Sequence, residues 1–169
     1  MIGVLCTARS GSSAFAKYLG KVVGAPINRV FIHRVPDEFK NMYEYGKYFI
    51  DTYEKIYIID RKDKHSQSES LAFRKTKYGD NFNRYFTKEV YDTIDYEYVE
   101  KCKKQFIKQS KVLEKLGRIY EIDLIYYEDL YRDKEKIKSL GLYNEKLYDL
   151  YLNPNDRHRK FENASTKLL

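Results

Sequence analysis

Apolar and polar positions along the chain alternate in blocks that predict strands separated by helices. Ile2, Val4 and Leu5 form a short apolar run that reads as a buried strand. A loop of small and hydroxylated residues follows from Thr7 to Ser13, and Ser13 to Leu19 has the spacing of the first turns of a helix, which ends among Gly20 to Gly24 before Pro26. Asn28 to His33 alternates as a second strand closed by Pro36. From Asp37 to about Tyr53 the apolar positions recur at helical spacing, with Met42, Tyr45 and Phe49 on one face. Lys55 to Asp60, KIYIID, is the clearest internal strand, and the chain turns polar at Arg61. Asp63 to about Lys77 reads as a helix holding Ser70, Leu71 and Phe73, and Tyr78 to Phe86 as a loop. A long helix is predicted from Asp95 to Leu116 on the recurrence of Tyr98, Cys102, Phe106, Ile107 and Leu113, with Gly117 as its stop. Ile119 to Tyr127 reads as the last strand, and YEDL at Tyr127 to Leu130 leads into short helices.

Strands that alternate with helices argue for an α/β fold, with a short, mainly parallel sheet between two helical layers and right-handed crossovers. Ligands of such sheets bind at the carboxyl ends of the strands. That rule places the Arg9 loop, the turn after His33, Arg61 and Glu128 along one rim. A length of 169 residues suits a single domain over 1–169, ending in a basic loop over 153–169.

Charge sharpens the search for chemistry. The chain holds 32 Lys and Arg against 25 Asp and Glu, a formal charge of +7 that suits an anionic ligand without resembling a dedicated nucleic-acid tail. Cys6 and Cys102 stand in unrelated settings and make no metal or redox motif, and His65 and His158 have no partners at ligand spacing. With no secretory signal or membrane span in view, a reduced, cytoplasmic protein is expected.

Two segments can hold anions. In Thr7 to Ser13 the helix start directs N–H groups into the loop and Gly11 lets backbone come close. Arg9 adds a cationic fork, and Ser10, Ser12 and Ser13 add hydroxyls. The competing reading is an ordinary strand-to-helix turn with a serine cap. The second segment is IIDRKDKHSQSESLAFR. There Arg61 ends a strand, Ser70 lies on the next helix and Gln67 precedes Ser70 by one turn. Its bland alternative is an Arg61–Asp63 pair at a helix start with Ser70 in solvent.

Together the segments resemble the sulfotransferases that use 3'-phosphoadenosine 5'-phosphosulfate. TARSGSS is similar to their 5'-phosphosulfate loop in the P-R-S-G-[ST] form, with Ala8 in the proline position. RKDKHSQSES is similar to the 3'-phosphate motif of the bacterial trehalose sulfotransferase branch, and YEDL at Tyr127 resembles a strand end common in the family. The resemblance implies a P-loop NTPase-like topology in a small viral or bacterial form. Arg9, Ser10, Gly11, Ser12 and Ser13 would bind the 5'-phosphosulfate, with Arg9 also catalytic, and Arg61 and Ser70 would bind the 3'-phosphate. It further implies a catalytic base, His33 in FIHRVP with Glu38 in reserve, no metal, and a hydroxylated sugar, lipid or peptide acceptor. The basic cluster of Arg157, Arg159 and Lys160 would be a solvated tail or fold over the nucleotide. The short chain leaves few acceptor-binding insertions, so the acceptor pocket would be open or completed by a second copy in a homo-oligomer.

Other classes stay open. A P-loop kinase or nucleotide hydrolase would need the lysine before Ser or Thr that this loop lacks. A basic nucleic-acid-binding protein would show DNA or RNA affinity that falls steeply with salt and no preference among adenosine bisphosphates, and a sulfotransferase fold that binds without catalysis is the third possibility if His33 is not a base.

Overall fold

The middle residues of the central strands are apolar in sequence because helices cover both faces, which removes the alternation of a half-exposed strand. The computed structural model describes residues 1–75, 92–132 and 134–152. Four strands, β1 (Ile2–Cys6), β2 (Ile27–Phe31), β3 (Lys55–Asp60) and β4 (Leu124–Tyr126), form one all-parallel sheet in the order β2-β1-β3-β4. Seven helices lie among the described residues: α1 (Ser12–Val23), α2 (Met42–Thr52), α3 (Lys64–Arg74), α4 (Tyr96–Ile119), α5 (Tyr127–Arg132), α6 (Lys134–Ser139) and α7 (Glu145–Tyr151). The expected α/β architecture with a parallel sheet is therefore present.

The described residues pack as two compact units, one of residues 1–62 and 108–152 and another that includes 63–75 and 92–107. In the first unit Val4, Cys6, Tyr57, Ile59 and Ile125 share a core with Phe15, Tyr18 and Leu19 of α1 and with Leu130, Ile137 and Tyr148 of α5–α7. Leu5 and Ile58 point the other way, toward Phe49 and Ile50 of α2 and Leu113 and Leu116 of α4. The sheet is thus the middle of three layers in this unit. Tyr18 ties the first layer together, since its hydroxyl donates to the Leu142 carbonyl at 2.5 Å and accepts from the Asn144 amide at 3.1 Å.

The second unit includes α3 and residues 96–107 of α4, with Ala72, Phe73, Val99, Cys102 and Phe106 buried. Asp63 caps α3, its carboxylate accepting from the Ser66 amide at 2.9 Å and hydroxyl at 2.7 Å. Within this unit the Lys75 ammonium lies over the Tyr98 ring at 4.2 Å, and a hydrogen bond to that phenol raises the lysine pKa.

Several boundaries differ from the sequence reading. The second strand ends at Phe31, leaving His33 in the following turn, because the Arg34 amide folds back to the Phe31 carbonyl at 3.0 Å. Helix α2 starts at Met42 and not near Asp37. The Asn41 side chain caps it by accepting from the Glu44 amide at 3.0 Å, and Glu44 accepts in turn from the Lys40 amide at 3.2 Å. Gly117 does not stop the long helix. A side chain there would lie 2.6 Å from Leu124 Cδ1 and 2.8 Å from the Ile122 carbonyl, so glycine lets the approach to β4 pass against the helix. Ile119 accordingly belongs to α4, and the last strand shrinks to Leu124–Tyr126. Ile107, expected on the apolar face, is 39% exposed. Helix α3 ends at Arg74, while residue 77, the expected loop 78–86 and the basic segment 153–169 lie outside the described residues.

Candidate anion-binding site at the strand ends

Parallel pairing brings the carboxyl ends of β1, β2 and β3 level. Cys6 is in register with both Phe31 and Ile59, and Asp60 with Tyr126. The segments after these strands therefore leave the sheet side by side. Two of the sequence-selected cations, Arg9 and Arg61, follow the adjacent central strands, and His33 follows the edge strand beside them.

The loop after β1 is shaped by its backbone. Arg9 and Gly11 both have positive φ, 59° and 72°. The left-handed region costs a non-glycine residue about 1–2 kcal/mol, so Arg9 is held there by its surroundings. Gly11 is the N-cap of α1 and no side chain caps the helix, so the serine-cap alternative does not describe this turn. The Ala14 and Phe15 amides donate to the Gly11 carbonyl at 3.1 and 3.2 Å, which leaves the Ser12 and Ser13 amides at the helix mouth. Ser10 is buried and its hydroxyl donates to the Thr7 carbonyl at 2.7 Å, so that hydroxyl shapes the loop. Ser12 is buried as well, whereas Ser13 is exposed. Thr7 fixes the start of the loop by donating to Asp60 Oδ1 at 2.9 Å across the strand ends.

The segment after β3 is shaped by side chains. Arg61 is only 6% exposed and its guanidinium carbon lies 4.5 Å from the centre of the Tyr127 ring, a cation–π geometry. The neighbouring Lys62 is held by the same turn of α5, its amide donating to Glu128 at 3.0 Å and its ammonium to Asp129 at 3.1 Å. Leu130 is fully buried in the core. All four residues of YEDL are thus engaged, with Tyr127 stacked on Arg61, Glu128 and Asp129 holding Lys62, and Leu130 anchoring the helix.

Tyr127 also touches the first loop. A β-carbon on Gly11 would lie 2.8 Å from Tyr127 Cδ2 and 2.5 Å from Tyr131 Cε2, and the Tyr131 hydroxyl donates to the Gly11 carbonyl at 3.0 Å. One aromatic ring therefore contacts both the Gly11 turn and the Arg61 guanidinium. Burial, with Tyr127 close by, pushes the Tyr131 phenol far above its ordinary pKa and keeps it a neutral donor.

His33 is exposed, with its ring 5.7 Å from that of Phe31. Partial burial of the imidazole, and secondarily the Arg34 guanidinium, lower its pKa below the ordinary 6.5, so the ring is neutral at neutral pH. Glu38 lies nearer α2, where its charge helps raise the Tyr45 phenol after burial and Tyr53 have done so. Burial pushes the Cys6 thiol up to about 11 and removes it as a nucleophile. Ser70 and Gln67 are both buried on α3, in the second unit, so Ser70 is not a solvated helix residue.

Three contributors escaped the sequence reading. Tyr131 lies 120 positions from the loop it holds. Asp60 read as the end of a strand and is a buried carboxylate. Arg29, on β2, donates from Nη1 to Ser12 Oγ at 3.3 Å; its place beside an apolar alternation was the only local signal. Among the described residues no three His, Cys, Asp or Glu side chains gather as a metal site, and no helix is long and apolar enough to cross a membrane. In comparisons with known proteins, no family model, no curated protein and no solved structure matches the chain.

Proposed function

We propose that the chain is a sulfotransferase that uses 3'-phosphoadenosine 5'-phosphosulfate and sulfates a hydroxyl group. The observation that carries this reading is the shared Tyr127 ring, which touches the Gly11 turn on one side of the site and stacks on Arg61 at the end of the neighbouring strand. A donor with anionic groups at both ends of its nucleoside needs two cationic loops fixed relative to each other. The order β2-β1-β3-β4, with the anion loop between β1 and α1, fits the P-loop-like topology that the motifs imply.

In this reading Arg9 and the amides at the start of α1 bind the 5'-phosphosulfate and take up charge on the departing phosphate. Arg61 binds the 3'-phosphate, and Ser70 enters through the sequence resemblance alone. The donor supplies an activated sulfuryl group, whose bond to phosphate breaks as a bond to the acceptor oxygen forms. His33, neutral at neutral pH, accepts the proton of that hydroxyl. Fixed positions and fixed charge carry most of the rate.

Calorimetric titration with adenosine 3',5'-bisphosphate, ADP and AMP tests the proposal. The bisphosphate is expected to bind at least about tenfold more tightly than either competitor, as one well-placed charged contact permits, and Arg61→Ala to remove most of that preference. Equal affinity for all three would overturn it. A second reading, magnesium-dependent phosphoryl transfer, has the buried Asp60 beside the loop in its favour, since such chemistry needs an acid to hold the metal. Titration of ADP with and without magnesium separates the two, because only the second reading gains affinity from the ion.

A further inference from the structure

The edge strand carries a second cationic feature, which the donor reading does not use. Arg29 and Arg34 both lie against the ring of Phe31, their guanidinium carbons 4.6 and 4.8 Å from its centre. His33 is against the same ring. Two cations gathered on one phenyl ring make a local positive surface of the kind an anion would meet. Among the described residues neither guanidinium forms an ion pair, and Asp37 and Glu38, the nearest acids along the chain, pair with neither. The bond from Arg29 to Ser12 orients its guanidinium but occupies one of five N–H donors. Contact with a partly buried ring restrains both side chains, so less entropy is lost in ordering them around an anion.

The place of this feature matters as much as its charge. Phe31 pairs with Cys6, so the platform adjoins the loop after β1, and Arg29 touches the first residue of α1. His33 links the platform to the hydroxyl that would be sulfated. We infer that the Arg29–Phe31–Arg34 platform receives an anionic group of the acceptor, so that the substrates are hydroxylated molecules carrying a carboxylate or a phosphate. That the anion belongs to an acceptor rests on the sulfotransferase reading; the anion site does not.

The test compares glucose, glucuronate and glucose 6-phosphate as acceptors, with 3'-phosphoadenosine 5'-phosphosulfate as donor, for the wild type, Arg34→Gln, Arg29→Gln and Phe31→Leu. The wild type is expected to favour the anionic sugars in kcat/KM by about tenfold or more, the size of one charge-assisted contact, and each arginine variant to shrink that ratio about tenfold. Phe31→Leu keeps both charges and loses the shared ring, so a smaller loss is expected, with circular dichroism reporting whether it folds. The ratio of glucuronate to glucose 6-phosphate tells which anion the site prefers. Equal use of all three sugars, or a ratio that neither arginine variant changes, would overturn the inference. If no sugar is sulfated, calorimetric titration with glucuronate and glucose 6-phosphate decides. Binding lost in Arg34→Gln keeps the platform and removes the sulfotransferase reading, whereas no binding in the wild type removes the platform.

Discussion

The loop after β1 and the segment after β3 are neighbours that hold a cation in opposite ways. The first relies on main chain: positive φ at Arg9 and Gly11, a helix mouth with no side-chain cap, and hydroxyls turned inward. The second relies on side chains, with Arg61 stacked on Tyr127 and Lys62 clamped by two carboxylates. Main-chain sites tolerate little change at the few positions that set φ, whereas side-chain sites lose their contacts one at a time. The contrast teaches that damage to the first should be all-or-none and damage to the second graded.

The largest effect is expected from Gly11→Ala. Its methyl group would sit 2.5 Å from Tyr131 in a backbone conformation at φ 72° that alanine disfavours. Loss of about 2–4 kcal/mol of stability is expected from overpacking and strain together, seen as a lower urea midpoint, along with loss of bisphosphate binding. An unchanged midpoint would show that the turn can relax. Next comes Tyr131→Phe, which deletes the hydroxyl that donates to the Gly11 carbonyl at 3.0 Å and keeps the packed ring. About 1 kcal/mol is expected by denaturant titration, with slower sulfate transfer and little change in the preference for the bisphosphate over ADP. A loss of that preference would mean that the two loops are not separable. The smallest effect is expected from Asp129→Asn, because its partner Lys62 is half exposed. A few tenths of a kcal/mol in stability is expected, with a slightly tighter bisphosphate affinity, because a carboxylate is removed and Lys62 released near the proposed anion site, a gain that salt reduces.

How much of this was legible in the sequence follows from the range of the interactions. Strands β1 and β3 were readable because burial on both faces leaves a continuous apolar run, and they placed Arg9 and Arg61 at strand ends. The start of α2 was misread because the decisive signal is one cap, Asn41 with Glu44, and not the apolar period that extends back toward Asp37. Gly117 was misread because glycine marks close approach as well as termination, and only Leu124 and Ile122 decide between them. Within the site, residue types were legible and directions were not. Nothing local to TARSGSS says that Ser10 points at Thr7, or that Tyr127 and Tyr131 support Gly11 from more than a hundred residues away.

Each compact unit contains one buried thiol, Cys6 at the centre of the sheet and Cys102 on α4. A maleimide reaches such a sulfur only when the surrounding structure opens, because while Cys6 stays buried its thiol is both shielded and held near a pKa of about 11. The two cysteines are therefore separate clocks, one for the breathing of the sheet and one for the helical unit, and each is read by mass spectrometry without altering a single residue.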